Sequence, residues 1–320
     1  MPPPRRAGKK LFTALLPILL IVLLALVGLS AWLVYGATHP RSQPYLVTPE
    51  KFARLSDRGL TAKEETWPNH DGTTARGWLV RGVEGAPSVL LLHRYGADRS
   101  WLLNLGVKLS EATDMTVLLP DLRAHGENPP VPASSFGALE GEDAVAAIEF
   151  LRTLKTAQGR PLAGEPVGIY GVEMGAYAAL QAASKNTGVR ALVLDSVPDA
   201  PGDVLRAAVK AHTGFDNDAL GFLAGLGTRL YFYGHYENRS ACTIAETLSD
   251  RRALLLSGED AGPLRLSTET LSKCFPAHAN AETHTNLPLT GIALASASPE
   301  QGELYDRRVI EFFDRTLRGN

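Results

Sequence analysis

The stretch VGIYGVEMG, residues 167–175, sets a short continuous apolar run directly before a glycine, an acidic residue and a second glycine. Residues 167–170 lack the alternation of a half-exposed strand, as expected of a strand covered on both faces. Gly171 and Gly175 bracket Glu173 where the run ends.

Runs of the same kind recur at 89–92, 116–119, 191–194 and 253–256. Upstream, Ala62–Pro68 and Thr74–Val80 flank Asn69-His70-Asp71-Gly72, whose Asp-Gly is a hairpin signal. Helical stripes separate the buried runs: Leu102, Leu105 and Leu109; Val145, Ile148, Leu151 and Leu154; and, closing the chain, Val309, Phe312, Phe313 and Leu317. A hairpin leading into repeated strand–helix units predicts an α/β fold with a mostly parallel central sheet flanked by helices. Residues 197–250 are the least regular part. Their Phe215, Phe222, Leu230, Tyr231, Phe232 and Tyr233 suggest small helices over the sheet's edge or a modest cap. There is no internal repeat and no low-complexity segment.

The formal charge of −2 averages two unlike parts. Arg5, Arg6, Lys9 and Lys10 fall within the first ten residues, and no acid precedes Glu50. Without those four the chain holds 28 basic against 34 acidic residues, or −6. A mildly acidic body with no clustered basic face argues against nucleic-acid binding. Residues 11–36, LFTALLPILLIVLLALVGLSAWLVYG, carry no charge. At ~1.5 Å per residue they outreach a bilayer core of ~30 Å, so they predict one transmembrane helix, an anchor in the bilayer. Trp32 and Tyr35 stand at its far end, where aromatic rings favour the interface. A cleaved signal peptide is the alternative, but its apolar region runs to only about 15 residues. The basic flank holds residues 1–10 in the cytoplasm, which puts the C-terminal domain outside it. Cys242 and Cys274 would then meet an oxidising compartment and could pair, or remain two buried thiols. Residues 37–60 read as a linker, with three prolines between residues 37 and 50, and 61–320 as the folded domain.

Three motifs, in order, resemble the α/β-hydrolase superfamily of serine esterases and peptidases. Leu91-Leu92-His93-Arg94-Tyr95-Gly96 follows a buried strand where hydrolases carry His-Gly-x-Gly and build part of the oxyanion hole. Asp121-Leu122-Arg123-Ala124-His125-Gly126 is similar to D-x-R-x-H-G. Gly171-Val172-Glu173-Met174-Gly175 stands where the nucleophile elbow G-x-S-x-G is found. The resemblance covers about residues 60–320 and implies the α/β-hydrolase fold, with Arg94, Tyr95 and Met174 around the pocket.

The resemblance also implies which catalytic positions have changed. Glu173 replaces the nucleophilic serine. The acid position falls on Ala261, with Asp260 one place early as a shifted acid. The base position falls on Ile292, and no histidine follows His284. Acyl transfer needs a nucleophile, a base and a group to orient the base, so the motifs predict a catalytically impaired protein. It would bind a small acyl or peptide-like ligand, or a protein partner. The alternative is an active hydrolase with an unconventional set that includes Glu173. A salt bridge between Arg94 and Glu173 would satisfy both charges. His93 and His125 are expected to hold loops, and Ser196 to cap backbone. Neither a nucleotide fingerprint nor metal-ligand spacing occurs, so no cofactor is expected. The topology predicts that a reporter fused after Asn320 is active outside the cytoplasm; cytoplasmic activity would reject the orientation.

Overall fold

The computed structural model describes residues 5–55, 62–276 and 280–319. Part of the basic tail (1–4), part of the linker (56–60) and His278 lie outside the described residues. The elements run α1 (Arg5–Thr38), α2 (Pro49–Leu55), β1 (Ala62–Pro68), β2 (Thr74–Val80), β3 (Pro87–Leu92), α3 (Leu103–Thr113), β4 (Thr116–Pro120), α4 (Glu140–Thr153) and β5 (Gly164–Val172). They continue with α5 (Met174–Lys185), β6 (Val189–Asp195), α6 (Pro201–Thr213), α7 (Asp218–Tyr231), α8 (Ala241–Ala245), β7 (Arg252–Gly258), α9 (Leu264–Ser272), β8 (Asn280–Leu287) and α10 (Pro299–Arg318).

Eight strands form one sheet in the order β1-β2-β4-β3-β5-β6-β7-β8. β1 and β2 pair antiparallel, as do β2 and β4. Every later pairing is parallel. This is the mixed α/β sheet of the α/β-hydrolase fold. β3, β4 and the centres of β5, β6 and β7 are buried along their length, because helices cover both faces. α10 closes one face: Val309, Phe312, Phe313 and Leu317 are buried in the main apolar cluster. Gly168 in β5 admits the Phe313 ring, since a Cβ there would come within 2.6 Å of it.

The chain divides into two compact units. One contains Thr38–Val204 and the chain after His235, which hold the whole sheet. Within it residues 39–48 are pinned to the body. Tyr45 Oη donates to Asp121 Oδ2 at 2.5 Å, Ser42 Oγ donates to the Gly126 carbonyl at 2.9 Å, and the Leu46 amide donates to Ser100 Oγ at 3.0 Å. Cys242 and Cys274 form a disulfide that ties α8 to the end of α9. The other unit groups α1 with Leu205–Gly234, which is most of α6 and all of α7.

Phe313 is fully buried, so Phe313→Ala should lower stability by about 3–5 kcal/mol in denaturant unfolding of the detergent-solubilised chain. Leu304→Ala, on an exposed face of the same helix, should stay within about 0.5 kcal/mol. Equal losses would contradict the packing.

Candidate functional site

β5 must reverse into α5 across a single residue. Glu173 makes that turn at φ 50 and ψ −111, in the left-handed half of conformational space. A non-glycine residue held there costs on the order of 1–3 kcal/mol. The surroundings over-determine it. The Glu173 amide donates to the Asp195 carbonyl at 2.9 Å, and the Glu173 carbonyl accepts from the amides of Ala176 and Tyr177. A Cβ on Gly171 would meet the Gly175 carbonyl oxygen at 2.3 Å, and one on Gly175 would meet the Leu92 carbonyl oxygen at 2.4 Å. Glycine at both positions is what lets β5, α5 and the end of β3 cross this closely.

The turn delivers the Glu173 side chain to a backbone donor. The Tyr95 amide, just after β3, donates to Glu173 Oε2 at 3.0 Å. An amide aimed at this point is suited to stabilising negative charge on oxygen. Burial pushes the Glu173 carboxyl above the ordinary carboxylate range, while the Arg94 charge and the neighbouring backbone pull it back in part.

The expected Arg94–Glu173 salt bridge does not form. Arg94 Nη1 donates instead to the Tyr95 carbonyl at 3.0 Å, and the guanidinium lies 4.8 Å from the centre of the Trp101 ring. The physical reason is competition: the Tyr95 amide already bonds the carboxylate, and the cation gains a carbonyl and an aromatic face. Tyr95 is half-buried, edge-on to His125 and beside Phe136. Met174 is fully buried, and its sulfur accepts from Ser134 Oγ at 3.4 Å, so it lines the interior beneath the elbow.

Both histidines of the motifs are committed to backbone. His93 Nδ1 donates to the Arg94 carbonyl, and its Nε2 accepts from the Leu122 amide at 3.0 Å. His125 Nδ1 donates to the Arg123 carbonyl, and its Nε2 accepts from the Gly96 amide at 2.9 Å. The acceptor roles at Nε2 fix the Nδ1–H tautomer in each ring. Burial pushes His93 down to about 4 and His125 to about 3, so both are neutral at pH 7. With both ring nitrogens engaged, neither has a lone pair free for general base work. Among the described residues no histidine hydrogen-bonds Glu173.

The acid-bearing loops are equally committed. Asp260 Oδ2 accepts from the Thr290 amide at 3.0 Å and from Thr290 Oγ1 at 2.8 Å. The structure therefore brings Thr290, not Ile292, to Asp260; the Ile292 side chain packs against the apolar core instead. Ala261 is buried. Asp195, fully buried at the end of β6, accepts from Ser196 Oγ at 2.6 Å, from the Gly291 amide at 2.7 Å and from Tyr305 Oη. Burial outweighs these bonds and pushes Asp195 up to about 6. Tyr305 Oη also meets Tyr170 Oη at 2.8 Å. Sequence reasoning missed Tyr170, Tyr305 and Thr290. Tyr305 lies four residues before Val309, on the buried stripe of α10, and its place there was the available signal.

A second polar cluster supports the loop after β4. Arg123 is paired with Asp143 at 2.5 Å and with Asp71 at 2.7 Å. A small cavity adjoins it, lined by Trp67, Arg76, Asp121, Arg123, Pro130 and Asp143. None of the candidate catalytic positions lines that cavity.

Solved structures resemble this architecture. An esterase from Pyrococcus furiosus superposes with a TM-score of 0.59 at 18% identity, over 88% of this chain and 98% of its own. An α/β hydrolase from Penicillium sp. sh18 gives 0.58 at 17%, over 81% of this chain and 100% of its own. A dienelactone hydrolase from Anabaena variabilis gives 0.55 at 16%, over 81% and 99%. Neither a protein-family model nor a curated protein sequence matches the chain. The likeness is one of fold.

The carboxyl of Glu173 generates a pH-dependent prediction. Its folded-state pKa lies above the unfolded value of about 4.3, so what it contributes to stability is fully present below about pH 4.3 and is lost as pH rises through the folded value. Glu173→Gln keeps the shape without the charge. Thermal melts should show it gaining on the wild type as pH rises above about 4.3, and parallel curves would reject the buried-carboxylate account.

Proposed function

We propose that the protein is a membrane-anchored domain of the α/β-hydrolase fold that works by binding rather than by hydrolysis. The observation that carries this reading is the Glu173 carboxylate on the amide of Tyr95. A hydrolase keeps such a donor open for the oxyanion of its substrate. Here it is occupied from within, and Asp260 and Asp195 hold the 290–291 loop by its own backbone rather than a base. The triad positions have in this reading lost their chemistry at Glu173, at Ala261 and in the loop holding Thr290 and Ile292. A small acyl or peptide-like ligand beside the half-exposed Arg94 and Tyr95, or a protein partner, is what the domain would bind.

The location follows the same reading. α1 supplies, from Leu15 to Thr38, a helix long and apolar enough to cross a bilayer. The basic tail orients it with the sheet-bearing unit outside the cytoplasm. The Cys242–Cys274 disulfide supports an oxidising compartment, because such bonds persist there.

One observation favours a working hydrolase instead: the strained elbow is retained, and strain of this kind clusters at catalytic sites. Glu173 would then be a carboxylate nucleophile. Its resulting ester would need an activated water, and the extra methylene relative to aspartate displaces the attacking oxygen. Misplacements of ~1 Å cost on the order of 100-fold.

The deciding experiment uses the full chain in detergent with short-chain nitrophenyl esters and a fluorophosphonate probe. Hydrolysis should not exceed buffer background, should not change in Glu173→Ala, and no labelling should occur. Turnover that disappears in Glu173→Ala would overturn the binding reading, and probe labelling would reveal a nucleophilic serine elsewhere in the fold.

A further inference from the structure

Apolar surface in the unit built from α1 and Leu205–Gly234 is distributed in a way that water alone does not explain. α7, with the sequence DALGFLAGLGTRLY, has Asp218 and Arg229 as its only charged residues. Its two long sides are both apolar. A helix apolar around its circumference belongs in a core or against lipid.

One side of α7 meets α1. Ser30 Oγ donates to the Leu223 carbonyl at 3.2 Å. Gly227 lies so close that a Cβ on it would come within 2.3 Å of Ser30 Oγ and 2.7 Å of Val34. On α1 itself, Gly36 makes room for His212, whose ring would lie 2.3 Å from a Cβ at that position. His212 also packs on Trp32 at 4.6 Å between ring centroids. Small residues in close backbone approach, reinforced by a serine hydrogen bond, are how helices associate inside membranes.

The other side is uncovered. Phe222, Leu226 and Leu230 fall four residues apart and form one stripe, with exposures of 76%, 49% and 70%. Phe215 in the α6–α7 turn and Tyr233 just beyond α7 extend it, and both are strongly exposed. Aromatics are prominent in this surface, as they are where proteins meet the lipid–water boundary. The level along α1 is also informative. Contacts to α7 fall at Ser30 and Val34, interleaved with the exposed Trp32 and Tyr35, directly after the exposed apolar run that ends near Leu29. The stripe thus continues the lipid-facing surface of the anchor at its interfacial end. Acids at the turn are neutralised locally: Asp216 pairs with Lys210 at 2.8 Å and Asp218 with Arg206 at 3.8 Å.

We propose that α6 and α7 form an interfacial hairpin that rests in the outer leaflet beside the anchor, with Phe215, Phe222, Leu226 and Leu230 set among lipid chains. The occupant of the stripe is the bilayer itself. The inference rests on the reading of α1 as a membrane anchor. Its consequence is a second point of membrane attachment, which limits rotation of the hairpin about the single spanning helix.

The test places single nitroxide labels on the full chain reconstituted in phosphatidylcholine–phosphatidylglycerol vesicles. Because Cys242 and Cys274 are paired, an introduced cysteine is the only free thiol. Labels go at Phe222→Cys and Leu226→Cys on the stripe, at Leu20→Cys in the anchor and at Glu311→Cys on the exposed face of α10. Collision rates with oxygen and with a water-soluble nickel chelate are compared. At 222 and 226 the oxygen-to-nickel ratio should exceed that at 311 several-fold and approach that at 20. Ratios at 222 and 226 equal to that at 311, with a high ratio at 20, would leave the anchor standing and overturn the hairpin proposal. A low ratio at 20 would overturn both. Low collision with both reagents at 222 and 226 would mean that a second copy covers the stripe, which also overturns the proposal.

Discussion

A strand that becomes a helix across one residue constrains everything around it. At Glu173 the backbone turns with φ near 50, and it can do so only because Gly171 and Gly175 let β5, α5 and the end of β3 approach without side chains. That crossing brings the end of β3 beside the turn, and the Tyr95 amide that follows β3 donates to the Glu173 carboxylate.

The same economy holds for the other titratable groups. His93 and His125 spend both ring nitrogens on backbone, and each joins two loops that surround the elbow. Asp121 gathers Tyr45, Arg76 and Arg99, which pins residues 39–48 to the body. Arg123 is held by Asp143 and Asp71. Buried charges left alone are costly, and each of these is paired or hydrogen-bonded. Each of these groups fixes a loop through its hydrogen bonds or ion pairs.

Most of the sheet was legible in the sequence because its strands are apolar runs without alternation. β1 and β2 fell on the residues that the Asp-Gly turn implied, and the stripe of Val309, Phe312, Phe313 and Leu317 marked the closing helix. β8 was not legible. Asn280–Leu287 pairs only with β7, and its Glu282 and His284 stay exposed, so an edge strand of this kind carries little apolar signal. In the loop that follows β8, Thr290 is the residue whose side chain meets Asp260. The Arg94–Glu173 pairing failed for a different reason. Sequence places two charges near one another, but it does not show that a backbone amide has already claimed the carboxylate.

The strained turn has a structural explanation. Strain at Glu173 is of the order of 1–3 kcal/mol, and it is offset where it arises. The Glu173 amide is bonded to Asp195, its carbonyl to the first turn of α5, and its carboxylate to Tyr95. Relaxing the turn would break these bonds and separate α5 from β3, although α5 carries Tyr177 and a run of buried alanines into the core. The turn is therefore the joint between the central strand and its helix, and packing alone is enough to hold its conformation.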